Sequence, residues 1–305
     1  MNIVSFGDIH FRLKNPKNRI DNFFETQLGK IEFGLKYFIG LPEPKLLTTS
    51  GDVFDMVQGS AKTPHYVVQR VIELFRKYKV TMLTVAGQHD QPYHTKDLED
   101  TPLKVLEKAG VVILLNKYPI TVDGVSFYGC SFGEEIPKID ACTSDRTNVL
   151  VIHKMIVKNP LWEGQTDYTY SQNLLAKCPY NFILSGDNHE FFTDEYKGKI
   201  LVNLGSLMRS KIDQRDHLPS ISIYDTNDGS LNIKMIPSEP FADVMNLEEA
   251  VKEKEKEQQV NAFVEGLKES TEMTLDFVSN LRSYIETNKV DDQVTSIINT
   301  CLGGN

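Results

Sequence analysis

Five short apolar runs in this sequence stop at residues able to bind metal or move protons. Ile3–Phe6 runs into Gly7-Asp8-Ile9-His10, Leu46–Ser50 into Gly51-Asp52-Val53-Phe54-Asp55, and Thr81–Ala86 into Gly87-Gln88-His89-Asp90. Asn148–Ile152 meets His153, and Phe182–Ser185 runs into Gly186-Asp187-Asn188-His189. Four of the five pass through a glycine, which lets the chain turn sharply. The set Asp8, His10, Asp52, Gln88, His89, Asp90, His153, Asp187 and His189 takes in four of the chain's seven histidines. Mixed carboxylate and imidazole donors suit manganese, iron, zinc or magnesium rather than copper or an iron–sulfur cluster. The donors outnumber those of one tetrahedral ion. Two ions about 3.5–4 Å apart that share a carboxylate use them all, and such pairs hydrolyse phosphate esters by in-line displacement.

Those endings need strands behind them. Short apolar runs, each closed by a turn and often followed by a helical pattern, read as an α/β sheet. In open sheets the ligand crevice lies beyond the carboxyl ends of the strands, so parallel neighbours bring all five endings to one edge. Helices are predicted over Asp21–Ile39, Pro64–Tyr78 and Lys96–Ala109. The stretch 111–130 reads as strands turning at Asp123-Gly124, and 191–236 as strands turning at Lys197-Gly198 and Asp228-Gly229. Pro237 and Pro240 then precede a Glu/Lys-rich run, Glu248–Glu257, after which strand patterns cease. Phe277, Val278, Leu281, Tyr284 and Ile285 form one helical stripe; Val290, Val294, Ile297, Ile298, Cys301 and Leu302 form another. The chain therefore divides into an α/β domain, 1–240, and a helical extension, 241–305.

The order D-x-H, G-D-x-x-D, G-[N]-H-D, H and G-[H]-x-H, spread over about residues 1–236, resembles the calcineurin-like metallophosphoesterase superfamily. The resemblance implies a four-layer α/β/β/α sandwich. It also implies ligand roles: one ion on Asp8, His10, Asp52 and His189, the other on Asp52 as bridge, Gln88, His153 and Asp187. His89 becomes the general acid or transition-state stabiliser near the leaving oxygen, oriented by Asp90, with Asp55 supporting the ligands from behind. Two positions depart from the family pattern, both at the second ion: Gln88 stands where Asn is usual and Asp187 where His is usual. The added carboxylate makes that site harder, favouring Mn²⁺ or Mg²⁺.

Within the superfamily the chain resembles the nuclease subunit of SbcCD-type DNA repair complexes, especially bacteriophage versions. The likeness rests on chain length, on a basic loop directly after His10, and on Asn203-Leu204-Gly205-Ser206-Leu207-Met208-Arg209, similar to the family's N-x-G-S turn. It implies a Mn²⁺-dependent DNA nuclease with double-strand 3′ exonuclease and single-strand endonuclease activity. It further implies homodimerisation and an SMC-like ABC-type ATPase subunit as partner, docked by the helical tail.

Arg12, Lys14, Lys17 and Arg19 fall in that loop without an intervening acid, and Arg209, Lys211 and Arg215 form a second strip; both read as contacts to a DNA backbone. Phe11 or Tyr93 stacks a base on one reading and packs on the other. His65, His94 and His217 match no motif and read as surface or loop residues. The net charge of -9 is uneven: residues 246–305 hold 6 basic against 12 acidic residues, residues 1–245 hold 27 against 30. Overall acidity thus leaves local basic patches free to bind anions. Usual globular composition, with 40% hydrophobic and 25% charged residues, excludes a disordered or fibrous protein. No apolar stretch reaches the ~20 residues that span a bilayer. The start, Met1 to Asp8, has no signal-peptide features, and Cys130, Cys142, Cys178 and Cys301 form no C-x-x-C pair, so a reducing, cytoplasmic setting in a bacterial or phage-infected cell is expected. Two alternatives stand beside the nuclease: a small-substrate enzyme acting on cyclic nucleotides or phosphoproteins, and a non-catalytic scaffold that has lost the second ion.

Overall fold

The computed structural model describes residues 1–55, 63–91, 96–139, 146–162, 164–246, 256, 258–260, 262, 277–288 and 290–301. It forms two compact units, Met1–Met245 and Asn246–Asn305. In the first unit, strands β1 (Asn2–Phe6), β2 (Lys45–Thr49), β3 (Met82–Thr84) and β4 (Val112–Leu114) run parallel. β13 (Ser220–Asp225) and β14 (Leu231–Met235) extend that sheet antiparallel beyond β1, in the order β14-β13-β1-β2-β3-β4. The second sheet has β6 (Val125–Cys130), β7 (Thr147–His153), β10 (Phe182–Gly186) and β12 (Lys199–Asn203) parallel, edged by β11 (Phe192–Tyr196) and β5 (Ile120–Val122). Between β7 and β10 lies a small pair, β8 (Ile156–Val157) with β9 (Thr169–Tyr170).

Side chains alternate across a strand, so a strand apolar at every position must bury both faces. β1 does this: Ile3 joins Phe127, Val151, Leu184 and Tyr224 between the two sheets, while Val4 and Phe6 join the outer layer of the first sheet. That layer is α1 (Phe23–Ile39), α2 (His65–Tyr78) and α3 (Pro102–Lys108), which supply Ile31, Val71 and Leu106 to the same core. On the outer face of the second sheet, α4 (Ser171–Lys177) packs Leu174 and Leu175 against Leu150 and Ile183. The rings of Phe182 and Tyr224 stack across the central interface, centroids 4.4 Å apart. The architecture is a four-layer α/β/β/α sandwich.

Two differences from the sequence expectation have physical causes. The third helix starts at Pro102 rather than Lys96, because proline suits a first helical position and obstructs a continuing one; Thr101 caps it by accepting from the Lys104 N–H at 3.2 Å. The five chemical endings do not share one sheet edge. Three belong to the first sheet and two to the second, and they converge because the sheets pack face to face. The predicted hairpin turns form, with Asp123, Gly124, Lys197 and Gly198 all at positive φ.

In the second unit, helices span Phe277–Asn288 and Asp292–Cys301. Leu281 is buried and Ile297 exposed. Most of the Glu248–Glu257 run, and Leu302, lie outside the described residues. Among the described residues no helix is long and apolar enough to cross a membrane.

Candidate metal centre

The centre is built by turns that only tight backbone approach allows. After β1, Asp8 is clamped by the Asn203–Ser206 turn: its N–H donates to the Gly205 carbonyl at 3.1 Å, and its own carbonyl accepts from Leu207 N–H at 2.8 Å. His10 and Asp52 both sit at positive φ (53° and 45°) and are joined by the His10 N–H to the Asp52 carbonyl, 2.8 Å. Such strained non-glycine backbone persists only where surrounding bonds hold it. After β3, Gly87 passes so close to Asp52 that a Cβ there would sit 2.6 Å from the Asp52 nitrogen.

The side chains then meet. Asp8 accepts from Ser50 Oγ at 2.6 Å on one oxygen and from the Asp187 N–H at 2.9 Å on the other. The Nε2 atoms of His10 and His189 face each other at 3.1 Å, with Asp8 Oδ2 3.7 Å from His189 and Asp52 Oδ2 3.6 Å from His10. His153 donates from Nδ1 to the Ser50 carbonyl at 2.9 Å, which turns Nε2 toward Asp52 Oδ2 at 3.4 Å and Gln88 Oε1 at 2.7 Å. Gln88 donates in turn to Asp187 at 2.9 Å. Three overlapping groups of donor atoms lie within 4.8 Å: Asp8 with His10 and His189, His10 with Asp52 and His89, and Asp8 with Asp52 and His153.

Asp52 carries the test of whether cations fit. Its Oδ1 accepts the His89 N–H at 2.8 Å, whereas Oδ2, fully buried, makes no hydrogen bond of good geometry and meets only the His153 and His10 Nε2 atoms, at 3.4 and 3.6 Å. A buried carboxylate oxygen without a donor is costly unless a cation satisfies it. This one lies between the two imidazole sets, where a bridging ligand belongs. The electrostatics agree. Burial opposes charge on His153, but Asp52, Asp8 and Asp187 outweigh it and lift the imidazole to about 10. Burial pushes His10 down to about 3 and lowers His189, leaving both neutral and ready to ligate.

Each site residue from the sequence can now be placed. Asp8, His10, Asp52, His153 and His189 converge directly. Gln88 and Asp187 join as a hydrogen-bonded pair, and among the described residues Asp187 is in none of the three tight groups. Asp90 does not orient His89. Its buried carboxylate accepts from the backbone N–H groups of Val53, Phe54 and Gly87 at 2.9–3.1 Å, tying the β2 and β3 loops together; burial and nearby Asp52 raise it to about 7. The residue that orients His89 is Asp55, 3.0 Å from Nδ1 and itself gripped by Arg12 at 2.6 Å. That bond lifts His89 above the ordinary histidine range.

The basic strips are partly dismantled by folding. Arg19 is buried, paired with Asp21 at 2.6 Å and donating to the Arg209 carbonyl at 3.0 Å; Arg209 is buried and donates to the Glu239 carbonyl. Neither is available as a DNA contact, because Arg19 is held by Asp21 and the Arg209 carbonyl and Arg209 by the segment that closes the first unit. Arg12 is paired with Asp55, while Lys14, Lys17, Lys211 and Arg215 are exposed. Phe11 is core, packed near Phe24 and Phe54. His65 is exposed; His217 is half-buried, donating from Nε2 to the Ser206 carbonyl at 2.5 Å and bracing the turn under Asp8. Tyr93 and His94 lie outside the described residues. Ser50 was missed from sequence, since nothing marks a serine that holds two ligands. The Asp55 role had a signal in the spacing of Gly51-Asp52-Val53-Phe54-Asp55.

Residues 1–229 match the family model of the calcineurin-like phosphoesterase superfamily domain. No curated protein sequence matches the chain. Solved structures similar to it include an archaeal phosphodiesterase, 14% identical over 77% of this chain and 100% of that one, TM-score 0.41. Others are the NAD nucleotidase of Haemophilus influenzae (10% identity, 77% and 49% of the two chains, TM-score 0.40) and the phosphopantetheinyl hydrolase of Mycobacterium tuberculosis (12% identity, 78% and 96%, TM-score 0.40).

Proposed function

The chain belongs to the calcineurin-like phosphoesterase superfamily, and from that premise we propose that it is a two-metal phosphodiesterase whose substrate is DNA. The observation that carries the phosphodiesterase is the buried Asp52 Oδ2, lacking a well-formed hydrogen bond, between the His10–His189 and His153–Gln88 sets. Asp8, His10, Asp52 and His189 would hold one ion and Asp52, Gln88, His153 and Asp187 the other, with Mn²⁺ as the proposed metal. When bound, such ions supply a water nucleophile at neutral pH and neutralise the phosphoryl oxygens. His89 keeps its proton through Asp55 and hands it from Nε2 to the departing sugar oxygen. Lys14 and Lys17, exposed on the loop that follows His10, support a phosphate backbone. The amphipathic tail helices suit docking to an SMC-like ATPase subunit in a homodimeric assembly.

A second reading has one specific observation in its favour. With Arg19 and Arg209 buried and Arg12 paired, the positive surface is small, as a small-substrate phosphodiesterase requires. End-labelled linear duplex DNA incubated with Mn²⁺, wild type against Asp8→Ala, separates the readings. Label loss in the wild type alone supports the nuclease. Intact DNA with turnover of bis(p-nitrophenyl) phosphate moves the assignment to small esters. Neither activity, with fewer than two ions bound per chain, returns the scaffold.

A further inference from the structure

A cavity of about 750 Å³ opens directly off the metal ligands, with Asp187 and His189 in its wall. Its other walls mix polar groups with apolar side chains, several of which are exposed. Trp162, the single tryptophan of the chain, is 58% exposed and Phe191 41%; Leu218 and Met235 are also exposed. Phe191 lies two residues beyond His189 on the same loop, so the backbone that presents a metal ligand also presents an aromatic face. Large exposed aromatics gathered in one concave site beside polar groups mark ligand contact rather than packing.

The charge of the rim narrows the occupant. Glu190, Asp213 and Asp216 line the cavity against a single ammonium, Lys211, near His189. Three carboxylates repel a second phosphate, so a run of backbone phosphates does not enter here. What enters is the uncharged part of the ester whose phosphate sits on the metals. We infer that the Trp162–Phe191 cavity binds an unstacked nucleobase of a nucleotidyl ester held by its phosphate at His189. The inference rests on the phosphodiesterase reading and deepens it by naming the substrate's recognition group. Base–aromatic stacking is sequence-tolerant, so thymine serves as the probe as well as any base.

Two assays test it on the full chain. Thymidine 5′-phosphate, added in Mg²⁺, quenches Trp162 fluorescence, while ribose 5-phosphate, with the same phosphate and no base, does not. The p-nitrophenyl ester of thymidine 5′-phosphate and methyl p-nitrophenyl phosphate share a leaving group and differ in the nucleoside. Wild type prefers the nucleoside ester in kcat/KM by on the order of tenfold, and the ratio falls toward one in Trp162→Ala and in Phe191→Ala, with Phe191→Tyr restoring it. Equal quenching by both phosphates, or a ratio that survives both alanine variants, overturns the cavity. If neither ester turns over, the phosphodiesterase reading fails instead, and the fluorescence arm still decides whether the base binds.

Discussion

Replacing Asp55 with asparagine isolates the proton-donor role assigned to His89. Asparagine retains the shape and an acceptor for Nδ1–H, so the ring keeps its orientation, but the negative charge is gone. That charge is present in the wild type: burial works to neutralise Asp55, and His89, His10 and Arg12 together hold it below the usual carboxylate range. Unit charges about 4 Å apart at an effective dielectric of about 20 attract by about 4 kcal/mol. The His89 side chain is 36% exposed. Water screening of a partly exposed pair cuts that to about 1 kcal/mol. Because His89 acts in its protonated form, activity falls as pH rises through its pKa, and Asp55→Asn, by removing the bond that raises it, moves that fall to lower pH. The assay is the pH profile of kcat/KM on two esters. Thymidylyl-thymidine has an alkoxide leaving group that needs the proton; bis(p-nitrophenyl) phosphate leaves as a stabilised phenolate that does not. On the dinucleotide, on the alkaline side of the limb, the variant is slower by about fivefold, the equivalent of about 1 kcal/mol; on the acid side the two proteins converge. On the p-nitrophenyl ester the limb is nearly absent in both. An unmoved limb on the dinucleotide, or an equal loss on both esters, refutes the Asp55–His89 assignment.

Other consequences follow from the same contacts. Asp52→Asn removes the shared ligand, and inductively coupled plasma measurement after Mn²⁺ loading drops from two ions per chain to one or none; two retained ions contradict the bridge. Asp90→Ala strands the buried N–H groups of Val53, Phe54 and Gly87, and lowers unfolding free energy by roughly 3 kcal/mol in urea titration. Lys30 is buried beside Arg209 and Arg19, donates to Ser238 Oγ, and is pushed by burial down to about 7 from an ordinary 10.5. Below pH 7 folded and unfolded chains both hold that proton and the buried charge costs in full; between pH 7 and 10.5 the cost fades as the folded chain sheds the proton first. Lys30→Met should therefore stabilise by on the order of 2 kcal/mol at pH 6 and by progressively less toward pH 10, with an equal gain at both pH values counting against it.

The local pattern of the chain was sufficient for most of the elements and for the side chains that converge at the centre. Runs such as Ile3–Phe6 and Phe182–Ser185 set apolar side chains on both faces of a strand, which is tolerated only when both faces are covered, and each is punctuated by glycine and then Asp. Turn chemistry is equally local, so Asp123-Gly124 and Lys197-Gly198 are legible without any knowledge of neighbours. What a side chain touches across the fold is not local. Asp55 and Asp90 are both acids close to His89 in motif terms, and only the approach of the β2 and β3 loops decides that one meets the imidazole and the other three backbone amides. Arg19 and Arg209 look as available as Lys14 in sequence, yet a guanidinium beside a closing segment is drawn into carbonyls and Asp21, while a lysine on an exposed loop stays in water. Trp162 and Phe191 carry no motif at all. They share a wall with His189 because the loop between β8 and β9, which carries Trp162, meets the loop after β10, which carries both His189 and Phe191, and that coincidence exists only in the folded chain.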